Sequence, residues 1–371
     1  MSARSLSDKF DIVGSFLPSP ALIEARRLFD AGQIDAAQMR RAEDAAITAL
    51  VDRQIKAGLP YVTSGELRRR VWNKDFYFAL GGIEKDRVES DALRQNLPAF
   101  ADLMIFAAPI SYNPNHPFFA DFKFLYDTAR GRAQVRQTIP SPADLYLEIL
   151  TITDDNPDRV YPSPETLIDD IASAYRATIM RFYELGCRHL QIDDSAAGQL
   201  CDTTFLNSLI RGGIDPVRLE NDIIELLNKS IEGLPADMGI SLYLSGGPNV
   251  VPAWRTDDRP DNIMANLLRN VNIRHFFLPF SPSDPEQLDI LRFLHPGSIV
   301  TLGLLSAHMP FSDKIPYVKD SIEHARQYLP DDAISISPTS GFKLSSFAER
   351  GLTEEDQWHK IEQLRSIAAE T

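Results

Sequence analysis

CRHLQIDDS, Cys187 to Ser195, is a short apolar run that ends abruptly in two carboxylates and a hydroxyl. It is too short for a helix of its own and reads as a buried strand whose C-terminal end carries polar chemistry. The helical pattern PETLIDDIASAYRATIMRFYELG precedes it and PVRLENDIIELLNKSIEGL follows it. Strand and helix therefore alternate around this point.

The same unit recurs along the chain. DIVGSF, LPYVTSGE, VRQTIPSP, GISLYLSGG, RHFFLPFS, SIVTLGLLS and AISISPTSG bring such runs to eight. Further helical patterns separate them, among them PDNIMANLLRNV, DKIPYVKDSIEHARQYL and the long stretch SPALIEARRLFDAGQIDAAQMRRAEDAAITALVDRQIKAG, opened by Ser19-Pro20. Eight strand–helix units with near-continuous apolar strands predict an α/β fold, a single (β/α)8 TIM barrel over residues 1–371. An open doubly wound sheet is the competing arrangement. The longest interval holds GGIEKDRVES and the aromatic-rich SYNPNHPFFADFKFLYDT, and reads as an inserted hairpin or lid at about 83–134.

Composition narrows the partners. At 44% hydrophobic residues the chain can bury a large core, and a net charge of -14 argues against nucleic acid or an anionic membrane as partner. No run approaches the length of a membrane span, and MSARSLSDKFDIVGSF lacks a signal-peptide pattern. Cys187 and Cys201 have no CxxC spacing, which suits a reducing cytosol. A cytoplasmic enzyme with a small-molecule substrate is the expectation; oligomeric state is not addressed by these patterns.

In a (β/α)8 barrel the active site forms at the C-terminal strand ends. That rule selects Gly14 and Ser15, Glu66, Arg70 and Trp72, Ser141, Asp193 and Asp194, Ser245, His308 and Ser340. Glu66, Asp193, Asp194 and His308 are the candidate catalytic groups. Gly14, Ser15, Arg70, Trp72, Ser141, Ser245 and Ser340 are the candidate binding groups, with Arg70 as an anion clamp. Such a hydroxyl-rich ring with carboxylates suits a zwitterionic or anionic ligand. The structural alternative is that Glu66 and the IDDS residues only cap helices.

FDIVGSFLPSPALIEARRLF and QIKAGLPYVTSGELRRRVWNKDF resemble the opening of the short proteins related to the catalytic half of cobalamin-independent methionine synthase. LQIDDS resembles that family's Q-I-D-E segment, and ISPTSGF its closing S-P-x-C-G-F. The resemblance covers nearly the whole chain. It implies a barrel of the methionine synthase/uroporphyrinogen decarboxylase type and methyl transfer from a folate to a zinc-activated thiol. It further implies that Gly14-Ser15 receives a substrate carboxylate and that Glu66 and Asp193 hold its amine.

The implied zinc ligands are missing. Aligned on the family's H-x-C-R-G-N strand end, LYLSGGPN places Leu242 at the histidine and Leu244 at the cysteine. The liganding glutamate falls at Pro279 and the closing cysteine at Ser340, so an apolar patch with one hydroxyl is expected there, with no metal. A relocated site would have to use Cys187, Cys201, His189 and His308. Without zinc, metal-independent acid–base chemistry on an amino-acid-like or anionic substrate (transferase, lyase or decarboxylase type) is the leading expectation, with no cofactor. The alternatives are S-methyl or alkyl transfer with altered thiol activation, for which a folate would be the donor, and a non-catalytic amino-acid-binding protein.

Overall fold

The computed structural model describes residues 8–86, 103–151, 160–245, 254–260, 262–281, 284–308, 315–343 and 352–371. Its strands are β1 (Tyr61–Val62), β2 (Gly81–Asp86), β3 (Leu103–Ser111), β4 (Gln134–Pro140), β5 (His189–Asp194), β6 (Gly239–Leu244), β7 (His275–Pro279), β8 (Ile299–Leu305) and β9 (Ile334–Pro338). β1 and then β4 to β9 pair in parallel and in chain order, with helices between them. These seven strands overlap seven of the eight runs read from the sequence.

The eighth run, DIVGSF, forms no full ladder. Phe10 bridges Ile336 and Ser15 bridges Gly65, both in parallel, so this segment lies between β9 and β1. Asp11 N donates to Ile336 O at 2.9 Å and Phe16 N to Gly65 O at 3.1 Å. The segment is the eighth stave, and it closes the sheet into a (β/α)8 barrel.

The long helical pattern near residue 20 divides in two. Ser19 caps Pro20–Asp30, and Asp35 with Gln38 forms a capping box at the start of Ala36–Ala57. The inserted region is corrected in its second half. β2 and β3 pair as an antiparallel hairpin outside the barrel sheet, but the aromatic stretch is a helix, Pro117–Ala129. Its Phe118, Phe119, Phe122 and Leu125 recur at helical spacing and are buried in the core, so they pack the outer layer rather than form a lid. Residues 87–102 lie outside the described residues.

Register decides which side chains enter the barrel, because neighbours in register project to the same face. Pro140, Asp193, Tyr243 and Phe277 are in register across β4 to β7. Gln191, two residues before Asp193, reaches Val13 O with its amide at 2.6 Å, so this set faces inward. Below the mouth, Arg136 pairs with Asp11 at 2.6 Å between the rings of Tyr61 and Phe277, both partners almost fully buried. Among the described residues, no helix is long and apolar enough to cross a membrane.

Candidate active site

The C-terminal ends of the staves open on a cleft. Ser15, Glu66, Trp72, Asp193, Asp194, Ser245 and Ser340 line it, all of them expected from the sequence. Gly341, just past the end of the last strand, lines it too, as do Tyr243 and Lys343, which were not anticipated.

Glu66 sits in the turn after β1 with φ 57°, the only non-glycine residue with positive φ among the described residues. For a residue with a side chain this is a strained conformation, held here by its contacts. Its Oε1 accepts from Arg69 Nη1 and from Thr138 Oγ1, each at 2.8 Å, and Arg69 also donates to Thr138. Both charged side chains are buried, at 8% and 6% exposure. Glu66 Oε2 has no hydrogen-bond partner among the described residues.

Asp193 enters the barrel from the end of β5. Gln191 Nε2 donates to its Oδ1 at 2.7 Å, and Oδ2 has no partner among the described residues. Burial, and then the neighbouring Glu66, push its carboxyl up to about 8. Asp193 is therefore an acid that titrates close to neutrality, beside a carboxylate already paired with arginine.

Lys343 reaches the same place from the loop after β9. Its Nζ donates to Glu66 O at 3.1 Å and Arg69 O at 2.8 Å, and its carbonyl accepts from Ser15 Oγ at 2.8 Å. Gly341 permits this approach, since a Cβ there would stand 1.9 Å from Ser15 Oγ. Burial pulls the lysine down to about 8.

Other expected residues lie elsewhere. Arg70 is 60% exposed and ion-paired with Asp30, so the anion clamp is not there; the arginine that pairs with a lining carboxylate is Arg69, one residue earlier. Ser141 is fully buried and accepts from Ala143 N at 3.0 Å. Gly14 supplies a carbonyl to Thr63 Oγ1 at 2.6 Å. His308 is not among the lining residues; its backbone N–H donates to Ser306 Oγ. Asp194 touches the cleft, but its Oδ1 accepts from Ala197 N at 3.0 Å, a turn-capping role.

The expected patch of Leu242 and Leu244 is also corrected. In register with Asp193, it is Tyr243 that faces the barrel, while Leu242 and Leu244 are fully buried in the hydrophobic core. The inward positions are thus Tyr243, Ser245, Pro279 and Ser340. A phenol, two hydroxyls and a proline ring do not fit zinc, which takes thiolate, imidazole or carboxylate. Among the described residues no group of three or more His, Cys, Asp and Glu is placed to hold a metal ion. Burial pushes the Cys187 and Cys201 thiols up to about 12.

The chain is 30% identical over 369 residues to the uncharacterized protein YxjH of Bacillus subtilis, covering 98% of this chain and 95% of that one. A Listeria monocytogenes protein assigned as a vitamin-B12 independent methionine synthase superposes with a TM-score of 0.74 at 28% identity, over 97% of this chain and 96% of that one. The chain belongs to the B12-independent methionine synthase-like family. A B12-independent methionine synthase from Shewanella sp. W3-18-1, solved in complex with selenomethionine, shares the fold with a TM-score of 0.65 at 19% identity, over 98% of this chain and 96% of that one. No family model matches the chain. In this methionine synthase-like protein the barrel mouth is lined by the carboxylates Glu66, Asp193 and Asp194.

Proposed function

We propose that this chain is a metal-independent enzyme that binds a small amino-acid-like substrate and acts on it by acid–base chemistry. Glu66 Oε2 and Asp193 Oδ2 carry this reading, two carboxyl oxygens in one cleft with no partner among the described residues. A substrate ammonium can donate to both. Ser15, the residue to which the family resemblance gives the substrate carboxylate, lines the same cleft. Selenomethionine in the Shewanella relative is a ligand of this class. Asp193, titrating near 8, is suited to take or give a proton at neutral pH.

An ammonium arriving beside Asp193 favours its charged form and expels its proton. Calorimetry with L-methionine at pH 7, in two buffers of different ionisation enthalpy, should report a net release of protons on binding, as expected for a carboxyl held protonated by burial. Binding with no proton released would overturn the role given to Asp193.

Methyl transfer to sulfur is the second reading, favoured by the names of the relatives. A free thiol is mostly protonated at neutral pH, so without a metal it needs a base. Metal analysis of purified protein should find far less than one zinc per chain, and chelation should leave the melting temperature unchanged. One tightly held zinc per chain, with folate-dependent methylation of homocysteine, would replace the first reading by the second.

A further inference from the structure

We infer that Lys343 supplies the positive charge that receives the carboxylate of an amino-acid-like ligand, through the ammonium donor that the carbonyls of Glu66 and Arg69 leave unused. This deepens the amino-acid reading of the same cleft and rests on it. An ammonium has three N–H donors, and two are engaged at 3.1 and 2.8 Å. Both partners are neutral backbone carbonyls, and Lys343 makes no ion pair among the described residues. The side chain is nonetheless buried, at 9% exposure. A buried cation without a counter-ion is costly, and a ligand anion relieves that cost.

The other cations nearby are committed. Arg69 is bound to Glu66 and Thr138, Arg68 to Asp44 and Asp121, Arg70 to Asp30, and Arg26 donates to Leu67 O. Lys343 is the one cation among the described lining residues. The 2.8 Å hydrogen bond from Ser15 Oγ to the Lys343 carbonyl sets the lysine beside Ser15, which also lines the cleft. Of the charged groups facing Nζ, Glu66 and Asp75 favour its charge, while Arg26 and Arg69 oppose it, as does burial. The cleft thus has a carboxylate wall for an amine and a lysine for an acid, which selects zwitterions over simple amines.

The test compares L-methionine with L-methioninol, which has the same side chain and amine but no carboxylate, on wild type, Lys343→Met and Lys343→Arg. Wild type should bind methionine at least tenfold more tightly than methioninol. Lys343→Met should lose that advantage with methioninol affinity unchanged, and Lys343→Arg should recover part of it. Thermal melts show that the variants are folded. If Lys343→Met weakens both compounds equally, or fails to fold while Lys343→Arg shows no preference for methionine, the lysine is only structural and the inference falls. Equal binding of the two compounds by wild type also sinks it and leaves the amine pocket standing. Binding of neither compound by wild type removes the amino-acid reading, and this inference with it.

Discussion

Asp193→Asn should weaken L-methionine binding by about ten- to a hundredfold while the melting temperature stays level or rises. The asymmetry follows from the state of the native group. Burial and Glu66 already hold Asp193 up to about 8, so near neutrality the empty site contains mostly the neutral acid. An amide is close in shape to that acid and keeps the contact with Gln191, so folding loses little. What the amide cannot do is become an anion when an ammonium arrives, and the charge-assisted bond is lost. The pH dependence has a definite sign. Between the ordinary carboxylate range near 4 and about 8, the folded protein binds more protons at this position than the unfolded chain. The stability of wild type therefore falls as pH rises through that window, and Asp193→Asn should flatten this slope. Unchanged affinity in the variant, or a collapse of its melting temperature, would refute the assignment.

Glu66→Ala should behave in the opposite way and be the most destabilising change at the mouth, at about 3–5 kcal/mol. Helix-capping alone would make the residue worth about 1 kcal/mol, but Glu66 does not act alone. It neutralises Arg69, whose guanidinium is buried under Phe118 at 4.7 Å. Removing the carboxylate strands that charge, and Thr138 is left as a neutral partner. Loss of binding in Glu66→Ala is thus confounded by loss of fold, which makes Asp193→Asn the cleaner probe of the pocket. The double variant Glu66→Gln/Arg69→Met should recover a substantial part of the lost stability, since it removes both charges together. A melt for Glu66→Ala within 0.5 kcal/mol of wild type would mean that Arg69 finds another partner.

The strand ends were legible because each is an apolar run that stops at polar residues, a pattern that does not depend on register. Register itself was not legible at β6. In LYLS the residues alternate leucine with tyrosine and serine, and either set could face a barrel that is part apolar. A slip of one residue exchanges the two faces, and only pairing with Asp193 shows that Tyr243 and Ser245 are the inward set. The arginines posed a similar problem. Arg68, Arg69 and Arg70 are consecutive, and only the middle one pairs with Glu66, whose φ is positive. Nothing local in a Glu-Leu-Arg-Arg-Arg string announces that backbone angle. Lys343 lies past the end of its strand, where periodicity carries no information. Its relation to Ser15 spans 328 residues of chain.

That span bears on how the protein comes to exist at all. The stave at 10–15 is joined to its neighbours by single bridges on either side, and one of those neighbours, β9, is the last strand of the barrel to be synthesised. Until β9 emerges, the first stave has only the short β1 to lie against, and the loop carrying Gly341 and Lys343 has not been made. Contacts of such long range form late, after the local strand–helix units have condensed. A growing chain can therefore own Glu66, Arg69 and Asp193 and still have no pocket. The ability to hold a ligand arrives with the last link of the ring, so ligand capture reports that the barrel has been completed.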